Sequence, residues 1–144
     1  MHRLDGDAWG SMLHDALLPS SDQVAALIAR FEDDPRIGLV GASSSFCSIA
    51  LHIGRNHSAL ERVAGRLGHS SIGLRKHTPF FCAGTMFWFR RDAFSALSTD
   101  DLTDLFEPEA GQTDGTAAHA FERLFQALCE DAGFLTTSVD VALT

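Results

Sequence analysis

The sequence is poor in basic residues and in cysteine. It has 11 lysine and arginine residues against 19 aspartate and glutamate residues, which gives a formal net charge of −8. A nucleic-acid partner is therefore not expected, because phosphate backbones are bound by stripes of Lys and Arg. Cys47, Cys82 and Cys129 are too far apart for a disulfide framework or a Cys-x-x-Cys metal site. They are typical of small core residues in a reducing compartment.

Long apolar runs and phosphate-binding loops are also missing. No run of about 18 apolar residues occurs, so no membrane span is expected, and the N-terminus lacks the apolar stretch of a signal peptide. The segment Gly38-Leu39-Val40-Gly41 has neither the G-x-G-x-x-G nor the Walker spacing. His52 and His57 do not have the spacing of a zinc motif. These absences predict a soluble, cytoplasmic protein without a bound metal.

The rest of the composition fits one globular α/β domain. At 144 residues, of which 45% are hydrophobic, the chain can bury a core, and we expect residues 1–144 to form a single domain. Periodicity and capping signals predict helices alternating with strands. A capping box at Ser20-Ser21-Asp22-Gln23 predicts the start of the second helix, which Asp33-Asp34-Pro35 ends. The other predicted helices cover residues 11–18, about 58–67 and about 115–131, and the predicted strands cover residues 37–40, 80–89 and 134–143.

Two of the predicted strands should be neighbours in the centre of a sheet. Ile37–Val40 and Phe80–Phe89 are apolar, as strands covered on both faces must be. Helices on both faces of that sheet would give a three-layer α/β arrangement. Residues 42–56 fit either a strand or a loop, and residues 69–79 are predicted to be an exposed loop. A capping box of Ser and Glu predicts that Ser58 begins the next helix.

Asp114 stands where the long C-terminal helix is predicted to begin. An aspartate at such a position usually caps the helix, accepting a hydrogen bond from an amide of the first turn. Thr113 could serve as the cap instead. The carboxylate of Asp114 would then face a cleft, where it could take the proton of an acceptor hydroxyl as a general base. The spacing alone favours the capping role.

A polar stripe follows on the same helix. His119 and Arg123 are four residues apart and so adjacent on one face, with Glu122 beside them. The stripe fits a solvated helix face. It also fits a site that binds sugar hydroxyls or a diphosphate, because the planar guanidinium of arginine matches phosphate oxygens. The residues alone favour the solvated face.

Gly84 and Thr85 interrupt the predicted aromatic strand. Glycine inside a strand weakens it and often marks the close approach of another backbone or of a ligand, and Thr85 could offer a hydroxyl there. Asp5-Gly6-Asp7 has the Asp-x-Asp form by which many nucleotide-sugar transferases hold a metal. No buried strand precedes it, and we interpret it as a chance match.

Two blocks of sequence resemble the rhamnan synthesis protein F family, whose members build rhamnose-containing cell-surface polysaccharides. The first block, F-x-A-G-T-M-F-W-x-R, covers Phe81–Arg90. The second block, D-G-T-x-x-H-A-x-E-R, covers Asp114–Arg123. Weaker similarity at Phe31–Gly41 and at Gly54-Arg55-Asn56 extends the resemblance, in order, over most of the chain.

The resemblance implies a Rossmann-like glycosyltransferase fold of the GT-A type. Asp114 would be the catalytic base of an inverting transfer. The donor would be a nucleotide sugar of the dTDP-rhamnose type, and the acceptor a glycan or lipid-linked chain in polysaccharide or O-antigen assembly. No cofactor is expected in this chain, although a divalent metal is compatible with an intact relative. The implied substrate-binding residues are Gly84, Thr85, His119, Glu122 and Arg123.

The resemblance also implies one part of a larger enzyme. Family members have a further N-terminal portion that carries the nucleotide-binding strands, so this chain would correspond to the C-terminal part, with the acceptor side and the base. The alternative, from another functional class, is a catalytically inactive module that binds a glycan or a partner protein. Peripheral association with a membrane is compatible with both functions.

Overall fold

The computed structural model describes residues 5–98 and 101–140, which form a mixed α/β structure. The α/β class predicted from the sequence is therefore confirmed. The helices are α1 (Gly6–Leu17), α2 (Ser21–Asp33), α3 (His57–Arg66), α4 (Ser71–His77) and α5 (Ala117–Asp131). The strands are β1 (Ile37–Gly41), β2 (Phe46–Ser48), β3 (Phe80–Cys82), β4 (Phe87–Phe89) and β5 (Leu135–Ser138). Short 3-10 segments cover Ser43–Ser45, Arg91–Ser98 and Thr103–Leu105.

The strands form two small sheets. In the first sheet β1 is central, with β4 antiparallel on one side and β5 parallel on the other. Every residue of β1 is buried, as expected for an apolar strand with neighbours on both sides. In the second sheet β2 pairs antiparallel with β3. The predicted strand over residues 37–40 is thus confirmed, and β5 lies within the predicted strand 134–143, of which residues 141–143 are outside the described ranges.

The prediction of one central strand over Phe80–Phe89 is wrong. The segment is divided into β3 and β4, which belong to different sheets. Between them Gly84 and Thr85 have positive φ angles of 88° and 53°, so the chain turns where a continuous strand would need extended backbone. β4 lies at a sheet edge, and Phe89 is 55% exposed. The described residues form two small sheets, and the three-layer Rossmann-like arrangement of the GT-A type stays a prediction.

Side-chain caps explain where the first two helices begin. Ser20 accepts a hydrogen bond from the Gln23 backbone amide at 3.3 Å, which confirms it as the predicted cap of α2. The Gln23 side-chain oxygen accepts a bond from the Ser20 hydroxyl at 3.4 Å, where a full capping box would have it accept from the Ser20 amide. Asp5 accepts a bond from the Asp7 amide at 3.4 Å and caps α1. The Asp5-Gly6-Asp7 segment therefore begins a helix, and that helix starts earlier than the predicted 11–18.

Two predictions between β2 and β3 are wrong. α3 begins at His57 and its N-cap residue is Asn56, which makes no side-chain capping bond, so Ser58 is not the cap. Residues 69–79 are not a loop throughout, since Ser70 accepts a bond from the Gly73 amide at 3.4 Å and begins α4. The buried apolar side chain of this short helix is Leu74, too little to show a helical period in the sequence.

α5 is the central element of the main hydrophobic core. It packs against α3, α4 and β3, and this packing brings its first turns close to the residues that precede α3. Large apolar side chains of this core are Leu60, Val63, Leu74, Leu105, Phe121, Leu124 and Leu128. Within the described ranges, no helix is both long and apolar enough to cross a membrane.

Candidate functional site

Thr116 is the residue that caps α5. Its hydroxyl accepts a hydrogen bond from the His119 amide at 3.5 Å, as the side chain of an N-cap residue does. The Glu107 carboxylate accepts a bond from the Ala117 amide at 2.8 Å and lies at the positive end of the helix. Contrary to both alternatives drawn from the sequence, neither Asp114 nor Thr113 caps this helix.

The Asp114 carboxylate is held by the segment that precedes α3. It accepts hydrogen bonds from the Arg55 amide at 3.0 Å and from the side-chain amide of Asn56. The Asn56 side chain also accepts a bond from the Gly115 amide at 2.9 Å and donates one to the Ile53 carbonyl at 2.8 Å. Asn56 is fully buried. We call the following residues the Asp114 clasp: Gly54, Arg55, Asn56, Asp114 and Gly115.

Two glycines make the clasp possible. Gly54 has a φ of 51°, and a Cβ atom there would collide with the Asp114 carboxylate. Gly115 has a φ of 84°, and a Cβ atom there would lie 3.4 Å from the Arg55 carbonyl oxygen. Residues with a Cβ seldom adopt positive φ. The Gly-Arg-Asn and Asp-Gly segments of the sequence are therefore required by the same local geometry.

The clasp keeps Asp114 ionised. Burial would raise the pKa of this carboxyl, but the hydrogen bonds from Arg55, Asn56 and Gly115 and the positive charge of Arg123 outweigh it, so the pKa is lowered. The side chain remains 23% exposed. Asp114 is therefore a negatively charged, fixed and reachable proton acceptor at neutral pH, although a lowered pKa reduces the driving force for proton transfer.

Arg123 is buried next to the clasp, with only 10% of its side chain exposed. Its Nε donates to the His52 carbonyl and its Nη1 to the His119 carbonyl, both at 2.9 Å. Nη1 also pairs with the Glu122 carboxylate at 3.1 Å, and Nη2 lies 3.8 Å from the Asp114 carboxylate. These contacts make Arg123 a positioning group for two carboxylates, and its role in substrate binding stays a prediction.

Glu122 connects α5 to the turn between β3 and β4. Its carboxylate accepts a hydrogen bond from the Gly84 amide at 2.7 Å. A Cβ atom at Gly84 would lie 2.6 Å from a Leu13 methyl and 3.1 Å from the Trp9 indole nitrogen. The close approach expected at this glycine is therefore made by two side chains of α1.

Thr85 and His119 lie at the margins of this arrangement. Thr85 borders an open apolar groove, whose other lining residues are Leu97, Leu102, Phe106, Ala118, Phe121 and Phe125. The Nδ1 atom of His119 lies 2.7 Å from the Thr116 hydroxyl oxygen, and Nε2 has no hydrogen-bond partner among residues 5–98 and 101–140. Nε2 is thus the ring nitrogen through which His119 could contact a ligand.

Five of the six predicted site residues are joined in one network of contacts. Glu122 contacts Gly84 and Arg123, and Arg123 contacts Asp114 and the His119 carbonyl. This network links the two sequence blocks that carry the family resemblance. The Arg123 guanidinium also lies 5.2 Å from the centre of the Phe81 ring, a second link to the first block.

Asn56 is the site residue that the sequence reasoning missed. It is the only asparagine of the chain, and an asparagine just before a helix is usually a cap. The available signal was the Gly-Arg-Asn segment itself, because no capping or periodicity requirement explains three such residues in a row. Among the described residues, no group of three or more His, Cys, Asp or Glu side chains is arranged to hold a metal ion.

Comparison with known proteins places the chain in a family. It is 34% identical over 143 residues to the uncharacterized protein WxcX from each of two strains of Xanthomonas campestris pv. campestris. The alignments cover 99% of this chain and 20% of each relative, so the chain spans about a fifth of the length of these curated relatives. No solved structure matches. Because the profile of the family described as rhamnan synthesis protein F matches residues 2–134, the chain belongs to that family.

Proposed function

We propose that this chain is a sugar-transfer domain that acts in the synthesis of a polysaccharide. It would transfer rhamnose or a related sugar from a nucleotide-sugar donor to a glycan acceptor, as part of a GT-A-type enzyme. Membership of the rhamnan synthesis protein F family supports the class of product. The network from Gly84 to Asp114 is the structural observation that carries the proposal.

The network supports a functional role because burying its three charged side chains costs solvation free energy, which apolar contacts would not require. Arg123 is 10% exposed, and its two carboxylate partners, Asp114 and Glu122, are 23% and 21% exposed. Charges removed from water lose solvation, and apolar side chains of similar volume often stabilise a fold as well as a buried ion pair does. An ionised carboxylate held in a fixed position is, in contrast, what a general base requires.

In the proposed reaction Asp114 is the general base. The acceptor hydroxyl oxygen attacks the anomeric carbon of the donor, and the hydroxyl proton passes to the Asp114 carboxylate. The nucleoside diphosphate leaves with the electron pair of the broken carbon–oxygen bond, so the anomeric centre is inverted. Arg123 and Asn56 orient the base. The turn at Gly84 and the His119 Nε2 atom bind the sugars.

The test is a transfer assay with a dTDP-rhamnose donor and a rhamnose oligosaccharide acceptor, with products detected by mass spectrometry. The assay uses this chain joined to the N-terminal portion of a longer family member, because the resemblance implies that the nucleotide-binding strands lie there. Asp114→Asn should lower turnover by about 10²–10⁴-fold, the usual contribution of a general base. Asp104→Asn is the matched control, because Asp104 also has a lowered pKa but forms its ion pair with Arg66 in an exposed position.

Both variants are assayed at a temperature at which circular dichroism shows them to be folded. A folded Asp114→Asn variant with full turnover would remove Asp114 from the role of base. The absence of transfer by the unchanged joined protein would overturn the proposal that this chain belongs to a sugar-transferring enzyme.

The contacts of Asp114 also support a second function. A carboxylate that accepts bonds from Arg55 and Asn56 and has a lowered pKa is what a purely structural role produces. The chain would then be a module that binds a glycan or a partner protein without transferring sugar. Isothermal titration calorimetry with the acceptor oligosaccharide alone separates the two functions, since binding in the absence of any transfer supports the module.

A further inference from the structure

The basic side chains are concentrated in the middle of the chain. Of the 11 Lys and Arg residues, eight lie within residues 35–91, where Glu61 is the only acidic residue. Residues 62–91 contain no acidic residue at all. Arg36, Arg62 and Arg66 form ion pairs with Asp34, Glu107 and Asp104, which lie outside this segment. Arg75 and Lys76 of α4 have no such ion pair among the described residues, and the proposed sugar transfer makes no use of them.

Part of this segment forms a face that is both apolar and basic. Ile72 on α4 is 65% exposed, and Arg75 and Lys76 follow it three and four residues later on the same side of the helix. These side chains border a shallow groove together with Ile49, Ala50 and Pro79. The Ile49 amide donates a hydrogen bond of 2.9 Å to the Pro79 carbonyl, which joins two of the segments that line the groove.

Two more exposed apolar side chains are next in sequence to residues that line the groove. Leu51 follows Ala50 in the turn that the bond from the His52 amide to the Ile49 carbonyl closes, and it is 83% exposed. Phe80 follows Pro79 and is 50% exposed. We call the following residues the α4 face: Leu51, Ile72, Arg75, Lys76 and Phe80.

We propose that the α4 face docks on the surface of a membrane that contains anionic lipids. Exposed apolar side chains that cluster on a monomer mark an interaction surface. Apolar side chains accompanied by Lys and Arg are the combination that binds anionic bilayers, where the former enter the interface and the latter contact lipid phosphates. Leu51 and Ile72 are the inserting residues, and Arg75 and Lys76 are the phosphate-binding residues.

The acidic residues near α4 do not cancel this charge. The Glu61 carboxylate accepts a bond from the Ser71 hydroxyl in the first turn of α4, whereas Arg75 and Lys76 lie in the last turn. Glu130 and Asp131 belong to α5 and line a different groove beside α4, together with His69, Gly73 and His77. The groove that Ile72, Arg75 and Lys76 line has no acidic residue among its described lining residues.

Acids elsewhere on the protein have little influence on docking. Ionic screening limits their effect to about 8 Å at physiological salt. A lipid surface is favoured over an acidic protein partner because Leu51 projects from a turn with most of its side chain in solvent. A flat protein surface would leave that side chain without a pocket, whereas the headgroup region of a bilayer accepts it.

The test is co-sedimentation of the purified chain with vesicles of phosphatidylcholine alone and with vesicles of equal parts phosphatidylcholine and phosphatidylglycerol. Binding to the mixed vesicles is expected, weakening at high salt. The double variant Lys76→Glu, Ile72→Ser should bind them at least about tenfold more weakly, because each basic side chain near an anionic surface contributes roughly fivefold. A double variant Arg91→Glu, Ile28→Ser makes the same chemical changes at exposed positions outside the face and should bind like the unchanged chain.

A second measurement reports insertion directly. Leu51→Trp should show a blue-shifted emission with the mixed vesicles and no shift with phosphatidylcholine alone. No binding, equal binding to both vesicles, equal losses in the two double variants, or an unshifted Trp emission would each overturn the proposal. A dimer in light scattering that only Lys76→Glu, Ile72→Ser dissociates would assign the face to a second copy of the chain and would overturn it too.

Discussion

Asn56→Asp is the substitution that tests the Asp114 clasp most directly. It keeps the size and shape of a fully buried side chain but replaces the amide that donates to Asp114 with a carboxylate. The bond accepted from the Gly115 amide can persist, since an oxygen remains at that position. The variant therefore changes the two contacts made by the amide nitrogen: the bond to Asp114 becomes a repulsion between two carboxylates, and the bond to the Ile53 carbonyl is lost.

The free-energy cost at neutral pH can be bounded. Repulsion between unit charges about 4 Å apart is about 4 kcal/mol at an effective dielectric constant of 20. If one of the two carboxylates takes up a proton instead, the repulsion disappears. Protonating an ordinary aspartate at pH 7 costs about 4 kcal/mol, at 1.36 kcal/mol per pH unit, so the penalty cannot exceed about that value. For a chain of this size each kcal/mol lowers the unfolding temperature by about 2–4 °C. We therefore expect a decrease of roughly 10 °C at pH 7.

The sign of the pH dependence makes the prediction specific. In the variant, repulsion between the two neighbouring carboxylates raises the folded-state pKa of the pair. The variant should therefore gain stability as pH falls from 7 towards 5, because one of the two carboxylates takes up a proton. In the unchanged protein the pKa of Asp114 is lowered. Its contribution is therefore fully present above the ordinary value of 3.8, and it is lost only as pH falls through the lower folded-state pKa.

Thermal unfolding followed by circular dichroism at pH 5, 6 and 7 measures both effects. The control is Ser45→Ala, which removes another fully buried polar side chain whose partners, the Ala42 carbonyl and the Cys82 thiol, are uncharged. It should lose about 1 kcal/mol without any change between pH 5 and 7. If Asn56→Asp unfolds at the temperature of the unchanged protein at pH 7, or does not recover on acidification, the amide of Asn56 does not face the Asp114 carboxylate.

Three further predictions concern local geometry. Gly54→Ala should destabilise the chain by more than about 1 kcal/mol, because alanine at a positive φ is strained and its Cβ would displace Asp114. The control is Gly65→Ala, inside α3, where a Cβ atom would meet no neighbouring atom; it should stabilise the chain by about 0.5–1 kcal/mol. Thermal unfolding measures both changes. Gly84→Ala should push α1 away from the turn, which fluorescence of Trp9 would detect as a red shift, and an unchanged spectrum would contradict the observed packing. Burial raises the pKa of the Cys129 thiol to about 11, so iodoacetamide at pH 8 should label it only after unfolding, and rapid labelling of the folded chain would contradict its burial.

Elements that depend on local signals could be predicted from the sequence. The cap residue Ser20 fixes the start of α2, and the apolar run at Ile37 fixes β1. The long helix was expected from about residue 115 and begins at Ala117. In each case the residues that determine the element are its own, so no knowledge of the distant chain is needed.

Elements decided by backbone turns or distant contacts could not be predicted. The strand expected over Phe80–Phe89 has suitable composition throughout, and only the positive φ of Gly84 and Thr85 divides it. The Gly-Thr pair indicates an interruption of the strand, but the sequence does not distinguish a glycine that a ligand approaches from a glycine that a turn requires. Asn56 was missed because its partners, Asp114 and Gly115, lie almost 60 residues away in the sequence.

The sequence indicated which residues belong to the candidate site more fully than it indicated how these residues contact one another. Helical spacing placed His119 and Arg123 on one face of α5, yet Arg123 is buried among backbone carbonyls and carboxylates. A guanidinium can be buried only where acceptors surround it. Two of those acceptors, the His52 carbonyl and the Asp114 carboxylate, lie outside the helix, so helical spacing could not reveal them.

The charges of the network favour Asp114 as the reacting group within it. Arg123 is shared between the carboxylates of Glu122 at 3.1 Å and Asp114 at 3.8 Å, so the three side chains carry one uncompensated negative charge. Glu122 has the closer ion pair and also accepts the Gly84 amide bond, which commits it to the turn. Asp114 has the longer ion pair, whereas the exposure of the two side chains is nearly equal, at 23% and 21%. Because Arg123 lies closer to Glu122, it compensates less of the charge of Asp114, and for this reason the proposed transfer uses Asp114 as the proton acceptor.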